Sequence, residues 1–413
     1  MTSAPLCTGI QDVADIADTV FIHRASKRDT MATRGQSAPL VALRSVNADA
    51  WRALAGRAIE PNGYFLSDWE LAVDASARDR TDTSALTAWR ADRMTGLLPV
   101  VSMWRAYKIP LPALVSADPY GTLSTPLLDR EQAEASALDI MRKARAAGAH
   151  ALILRDITLD GRAMKAFREE LRRDGLRVML LQSHLRAALD ATRDADELLQ
   201  EALGPKKLKE LRRQRNRLAD HGAVHFDVAR TPEDVAPALE IFLSLEARGW
   251  KARRGTALVQ DAGDAAFIRR AAVALAASGQ CEIITLRAGE APVAAGIVLR
   301  HGDRAFFFKL GVDERFARFS PGVQLTLELT RHLCADPQIR FADSTAAPDH
   351  PMINPIWRGR LAIGDVVVPL GRRDPAVPLI RAALSLRQAI RDPARRALHF
   401  LRQRRESRQE KSA

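Results

Sequence analysis

At 413 residues, with 47% hydrophobic and 27% charged side chains, the chain is long enough for two domains with substantial cores, and its composition is that of a globular protein. No apolar run reaches the length of a membrane-spanning helix, and the first residues lack the basic, apolar, small-residue order of a secretory signal, so a cytoplasmic protein is expected. Cys7, Cys281 and Cys334 show neither Cys-x-x-Cys nor Cys/His spacing, which argues for inert thiols and against a metal site, whereas a net charge of +12 favours anionic partners: nucleic acid, a membrane surface or a phosphate-bearing co-substrate.

Residues 1–37 begin with Ile10, Val13, Ile16, Ala17 and Val20 at helical spacing but turn polar, and they read as a tail. From Pro39 the pattern is globular. It predicts a strand over Val41 to Val46, a helix over Ala48 to Ala58, a Pro61-Asn62-Gly63 break, and a hairpin of Ala85 to Arg90 and Met94 to Val101. A helix from Glu131 to Ala147, a strand at Ala151 to Leu154, a helix near Arg162 to Asp174 and a strand near Arg177 to Gln182 follow.

Asp190 to Gly204 reads as a junction. Beyond it, Leu208, Leu211 and Leu218 form one stripe of an amphipathic helix whose other face is Lys and Arg, and Gly222 ends that helix. A strand at Val224 to Val228 leads to Thr231-Pro232-Glu233-Asp234, a cap, a proline and early acids that open an apolar helix ending in Glu246. After a helix near Ala265 to Ala277, Ala294 to Arg300 and Arg304 to Leu310 flank His301-Gly302-Asp303 as a tight hairpin. Ser320-Pro321-Gly322 then starts a helix, with Ser as N-cap and Pro at the first helical position. A strand at Gln338 to Ser344, a loop over Ala346 to Trp357 and a strand at Val366 to Leu370 complete the globular part. Residues 374–413 read as a basic amphipathic tail suited to an anionic membrane surface, which would make the protein peripheral to a membrane, or else as a disordered solubilising tail.

Glu246 to Lys251, Gly255-Thr256-Ala257, Lys309 with Asp313-Glu314, Ser320-Pro321-Gly322 and Asp349-His350-Pro351 together resemble GNAT-fold acyltransferases, and more narrowly the CelD/BcsL-like, BioF2-like acetyltransferase subfamily. The resemblance implies an α/β (α+β) fold of two tandem GNAT-like lobes, residues 38–190 and 191–373, with mixed, mostly antiparallel sheets flanked by helices. The likeness of the Leu86 to Leu98 hairpin to Ile284 to Gly296 agrees with duplication. It also implies acyl-coenzyme A, most simply acetyl-coenzyme A, as co-substrate, with no metal. Lys309, Ser320, Gly322 and Val323 would hold the donor, since unpaired N–H groups at a helix start suit a pyrophosphate. Of the widespread GNAT loop, Arg/Gln-x-x-Gly-x-Gly/Ala, only Gly322 aligns.

Transfer to an amine or hydroxyl requires removal of the acceptor's proton; Glu246, Asp313, Glu314, Asp343, Asp349 and His350 are the candidates for that task, with Glu246 or Asp349-His350 favoured. Trp250, Lys251, Asp313, Asp343 and Trp357 are candidates for the acceptor side, with Asp313 better explained as holding its turn. No Ser-His-Asp or Cys-His arrangement presents itself, so direct attack within a ternary complex is expected. The acceptor class implied is a small molecule or saccharide, such as a polysaccharide or envelope precursor. Two rivals stand beside this reading: a FemABX-like aminoacyl transferase using charged tRNA, which the basic helix would serve, and a non-catalytic GNAT-like binding protein.

Overall fold

The hairpins read from apolar alternation are the seeds of one large sheet. The structure, a computed structural model, describes residues 38–249 and 255–390. In the N-terminal half the strands are β1 (Val41–Ala42), β2 (Ser84–Arg90), β3 (Arg93–Ser102), β4 (Ala113–Ser116), β5 (Leu127–Leu128), β6 (Ala151–Thr158) and β7 (Met179–Asp190), and the helices are α1 (Ala48–Ala55), α2 (Ser67–Ser76), α3 (Met103–Tyr107), α4 (Ala133–Ala146) and α5 (Arg162–Arg173). The C-terminal half runs α6 (Ala195–Leu218), β8 (Val224–Ala229), α7 (Pro232–Arg248), α8 (Ala262–Ala276), β9 (Cys281–Ala288), β10 (Ala291–His301), β11 (Arg304–Val312), α9 (Pro321–Cys334), β12 (Phe341–Asp343) and β13 (Gly359–Pro369). A last helix, α10, follows over residues 376–390.

The strand order is β1-β2-β3-β4-β6-β13-β7-β12-β11-β10-β9-β8, with β5 beside β3. Pairings are antiparallel except β4 with β6 and β11 with β12. Two strands are longer than the sequence indicated. β7 runs on to Asp190, where it pairs with β12, and β13 leaves the C-terminal half to lie between β6 and β7. The sheet is therefore continuous through both halves, and the last strand is a structural part of the first.

One face of the sheet carries α1, α2, α4, α5, α7 and α8 over a shared core that includes Trp51, Trp69, Phe167, Phe242, Phe267 and Phe306, all fully buried. Where the halves meet, Trp69 packs edge-on against Phe267 and Phe308, with centroids 4.9 and 5.0 Å away, and its indole N–H donates to the Pro119 carbonyl at 2.6 Å. On the other face, α6 and α9 cover the C-terminal strands around Leu211, Leu325 and Trp357. The α6 helix carries the predicted stripe, with Leu211 and Leu218 buried and Lys206, Lys207, Lys209, Arg212, Arg213 and Arg217 exposed. Gly204, at φ 70°, kinks it just before the basic stretch.

The tail reading needs correction. Val377, Ile380 and Leu384, on one face of α10, pack on Met103, Val115, Ile153 and Val367, so that face covers the sheet, whereas Leu379, Leu386 and Ile390 of the same helix are exposed. Residues 391–413, the N-terminal tail over residues 1–37 and Cys7 lie outside the described residues. Among the described residues no helix is long and apolar enough to cross a membrane. Cys281 is buried, and burial pushes its thiol up to about 12; burial likewise pushes Cys334 up to about 11.

The buried carboxylate Glu282 on β9 accepts from Arg230 at 3.0 Å and Arg300 at 2.6 Å, and lies 2.8 Å from His332. Burial opposes its charge, but His332 and Arg300 outweigh that and hold the carboxyl at about 2. Its folded-state value lies below that of the unfolded chain, so its contribution is complete above the unfolded value and lost as pH falls toward 2. Glu282→Gln is expected to cost about 3 kcal/mol at neutral pH, measured by urea denaturation. The gap from wild type should close as the pH is lowered through that window.

Candidate active site

β11 and β12 run together for only three registered pairs, Arg304 with Phe341, Ala305 with Ala342 and Phe306 with Asp343. Beyond them the strands part, and the gap opens into a cavity of about 880 Å³. Its walls are β11 from Phe307 to Val312, the segment Ser344 to Ala346, the start of α9 at Ser320 to Val323, and His350 to Ile353. Thr345 sits at the fork, its hydroxyl donating to the Phe307 carbonyl at 2.7 Å and its backbone in the left-handed region at φ 49°.

Pro321 is the first residue of α9, as expected, but Ser320 is not a side-chain cap. It adopts φ 53°, closing the preceding 3-10 turn, and its hydroxyl makes no capping bond. The first intrahelical bond runs from Gln324 N–H to Ser320 O at 3.0 Å. The N–H groups of Gly322 and Val323 thus have no partner among the described residues, and the first turn holds no acidic residue. A Cβ at Gly322 would come within 3.1 Å of Leu310 and 3.2 Å of Met352 and Val312, so glycine keeps the backbone at the cavity wall. Unpaired donors and the positive dipole end together suit an anion.

Lys309, Ser320, Gly322, Val323 and His350 therefore share one cavity. Glu246 does not reach it. It is 1% exposed, accepting from Leu258 N–H at 2.9 Å and from Lys309 Nζ at 3.2 Å, and so it positions the lysine. His350 Nδ1 accepts from the N–H groups of Met352 and Ile353 at 3.4 Å each, which places the ring proton of the neutral form on Nε2. Asp349 is exposed and outside the cavity lining. Asp313 is held by the Arg315 backbone N–H and guanidinium, chiefly the latter, which keeps its carboxyl below the usual value.

Two acceptor-side candidates are core residues. Trp357 is fully buried, donating from Nε1 to Thr330 Oγ1 at 2.9 Å. Asp343 is 1% exposed, accepts from Thr345 N–H at 2.9 Å and forms an ion pair with the fully buried Arg186. Trp250 and Lys251 lie outside the described residues.

What the sequence reading missed lies on the other side of the fork. Phe308, Lys309 and Thr345 also line a second cavity of about 400 Å³, completed by Tyr64, Tyr120, Thr122, Arg155, Asp156 and neighbours from the N-terminal half. Arg80, Asp118, Tyr120 and Arg155 continue from it into a third, of about 530 Å³, bounded by Gly255 to Ala257 and Asp264. A polar cleft between the halves thus meets the first cavity at Lys309. Tyr120, at φ 55°, stacks under the Arg80 guanidinium, 4.3 Å from its ring centroid, and donates to Asp264 at 2.7 Å. Nothing in the local sequence around Tyr120 places it opposite β11. Among the described residues no cluster of three or more His, Cys, Asp and Glu is placed to hold a metal ion.

Residues 205–350 match the family described as acetyltransferase (GNAT) domain. Among solved structures the chain is similar to FemX, at 11% identity and TM-score 0.52, over 81% of this chain and 98% of that one. It is also similar to the C-terminal domain of an Agrobacterium fabrum protein assigned as a lysylphosphatidylglycerol synthetase, at 15% identity and TM-score 0.51, over 82% and 95%. No curated protein matches the chain. The fold is thus mixed α/β, a large mixed sheet flanked by helices, and the acetyltransferase (GNAT) match falls within its C-terminal half.

Proposed function

We propose that the chain is an acyltransferase that takes an acyl group, most simply acetyl, from coenzyme A and passes it to an amine or hydroxyl. The observation that carries this reading is the cavity of about 880 Å³ between the diverging β11 and β12, with the partnerless N–H groups of Gly322 and Val323 on its wall. These donors, the absence of an acid in the first turn of α9 and the nearby Lys309 ammonium fit the anionic part of such a donor. In the reaction the acceptor heteroatom attacks the thioester carbonyl carbon, the carbon–sulfur bond breaks and coenzyme A leaves as thiol. Lys309, held by Glu246 where the two cavities meet, supplies fixed positive charge where negative charge develops. The proton that the acceptor loses ends on the departing sulfur, which balances the step, and His350 lies on the wall of the donor cavity where that sulfur would leave. The CelD/BcsL-like assignment and a polysaccharide or envelope precursor as acceptor rest on the sequence resemblance.

A second reading, aminoacyl transfer from charged tRNA, is favoured by one observation. The exposed basic face of α6 continues into a pocket of about 400 Å³ lined by Arg213, Arg217, His221 and Arg318, with Asp220 the one acid among them, and Arg318 lies two residues before Ser320. Thermal denaturation separates the two. A hundredfold excess of acetyl-coenzyme A over its Kd is expected to stabilise the chain by about 2.7 kcal/mol, with coenzyme A giving a smaller rise. A response to charged tRNA alone moves the assignment to the second reading, and silence with every donor leaves a binding protein.

A further inference from the structure

β6 contains a bulge that points at the acceptor cleft. Leu154 is registered with Val366 and Ile157 with Gly364, so Arg155 and Asp156 together stand opposite the single residue Asp365. Asp156 is in the left-handed region at φ 44°, although it carries a side chain. Three of the backbone groups at this irregularity find partners outside the strand pairing. Arg155 N–H donates to Ser116 Oγ at 2.9 Å, Asp156 N–H to Asp365 Oδ1 at 2.8 Å, and the Asp156 carbonyl accepts from Ser124 N–H at 3.2 Å. A bulge with this much support is a built feature, and its effect is to break strand alternation so that two neighbouring residues line one cavity. Neither side chain makes a hydrogen bond or ion pair among the described residues, although the other charged groups nearby are engaged: Arg80 with Asp118, Lys309 with Glu246. A guanidinium and a carboxylate are thereby left open on the wall of a half-buried chamber.

We infer that the Arg155–Asp156 bulge recognises a zwitterion, Arg155 taking the carboxylate and Asp156 the ammonium of a free amino acid or an amino-acid headgroup. Opposite charges held next to each other but kept apart by a strained backbone match that ligand and no simple amine or neutral sugar. Burial and the neighbouring Asp365 push the Asp156 carboxyl up from its usual value, which an incoming ammonium would reverse. The inference rests on the acyltransferase reading only in naming the zwitterion as acceptor; the binding itself does not depend on it.

The test is calorimetric titration of the full chain, without donor, with glycine, L-alanine, L-lysine and L-glutamate and with the α-carboxamide and N-acetyl form of each. At least one free amino acid is expected to bind, and its two derivatives to bind roughly tenfold or more weakly, since each has lost one charged pair. Arg155→Gln should equalise the amino acid and its carboxamide, and Asp156→Asn the amino acid and its N-acetyl form, a pairing that general damage to the fold would not reproduce. Failure of the wild type to bind any of the amino acids overturns the inference, as does unchanged discrimination in either variant. Acetyl-coenzyme A is tested in parallel: amino-acid binding without donor binding removes the acyltransferase reading alone, and the reverse removes this one alone.

Discussion

Gly322→Leu is expected to abolish the stabilisation that acetyl-coenzyme A gives the wild-type chain. The backbone at this position is helical, so a side chain is not excluded by φ and the helix itself should form. What a side chain meets is the wall. A Cβ already falls at 3.1 to 3.2 Å from Leu310, Met352 and Val312, and the remaining leucine carbons have room only in the cavity between β11 and α9. Overpacking of this kind costs about 1–3 kcal/mol, which a urea titration will register as a modest fall in midpoint. The loss of donor binding should be far larger in proportion, because the leucine covers the Gly322 and Val323 N–H groups that the anion must approach. A folded variant with an undiminished acetyl-coenzyme A shift would remove the start of α9 from the mechanism.

That this turn was legible at all follows from local chemistry. Proline after serine at the head of an apolar periodic run fixes a helix start, and the preceding alternation fixes a strand, so strand, loop and helix could be read in order. The left-handed φ of Ser320 was not legible, because serine is an ordinary cap and only the 3-10 turn ahead of it forces the other conformation. Long-range pairing was hidden for a similar reason. Gly359 to Pro369 reads as a strand, but nothing within it says that it inserts between β6 and β7. Likewise the apolar residues after Asp374 read as amphipathic, but the sequence does not say that Val377, Ile380 and Leu384 are the ones a sheet covers. The cleft between the halves was the least visible part. Its residues come from loops and a bulge in one half facing a strand in the other, and Asp156 owes its position to a backbone conformation that its residue type does not announce. Arg186 is the sharpest case, since an arginine in a strand reads as surface and here is wholly buried.

Removing that arginine should be among the most damaging single changes in the chain. Arg186 lies on β7 where the two halves join, donating to the Thr122 carbonyl and, at 3.0 Å, to its hydroxyl, and pairing with Asp343 on β12. Asp343 in turn accepts from Thr345 N–H at 2.9 Å, and the Thr122 hydroxyl donates to the Thr345 carbonyl at 3.1 Å, closing a ring around the fork. Arg186→Met leaves the Asp343 charge buried without its partner, and the expected loss is about 3–5 kcal/mol by urea denaturation. The double variant Arg186→Met/Asp343→Asn keeps an acceptor for Thr345 N–H while removing both charges, and it should recover a large part of that loss, giving a coupling energy of about 1–3 kcal/mol. A single-variant cost below about 1 kcal/mol would mean that the ring is not held by charge. The single variant should also weaken acetyl-coenzyme A binding, because this ring, together with the Thr345 hydroxyl bond to the Phe307 carbonyl, holds Thr345, at φ 49°, on the wall of the cavity between β11 and α9.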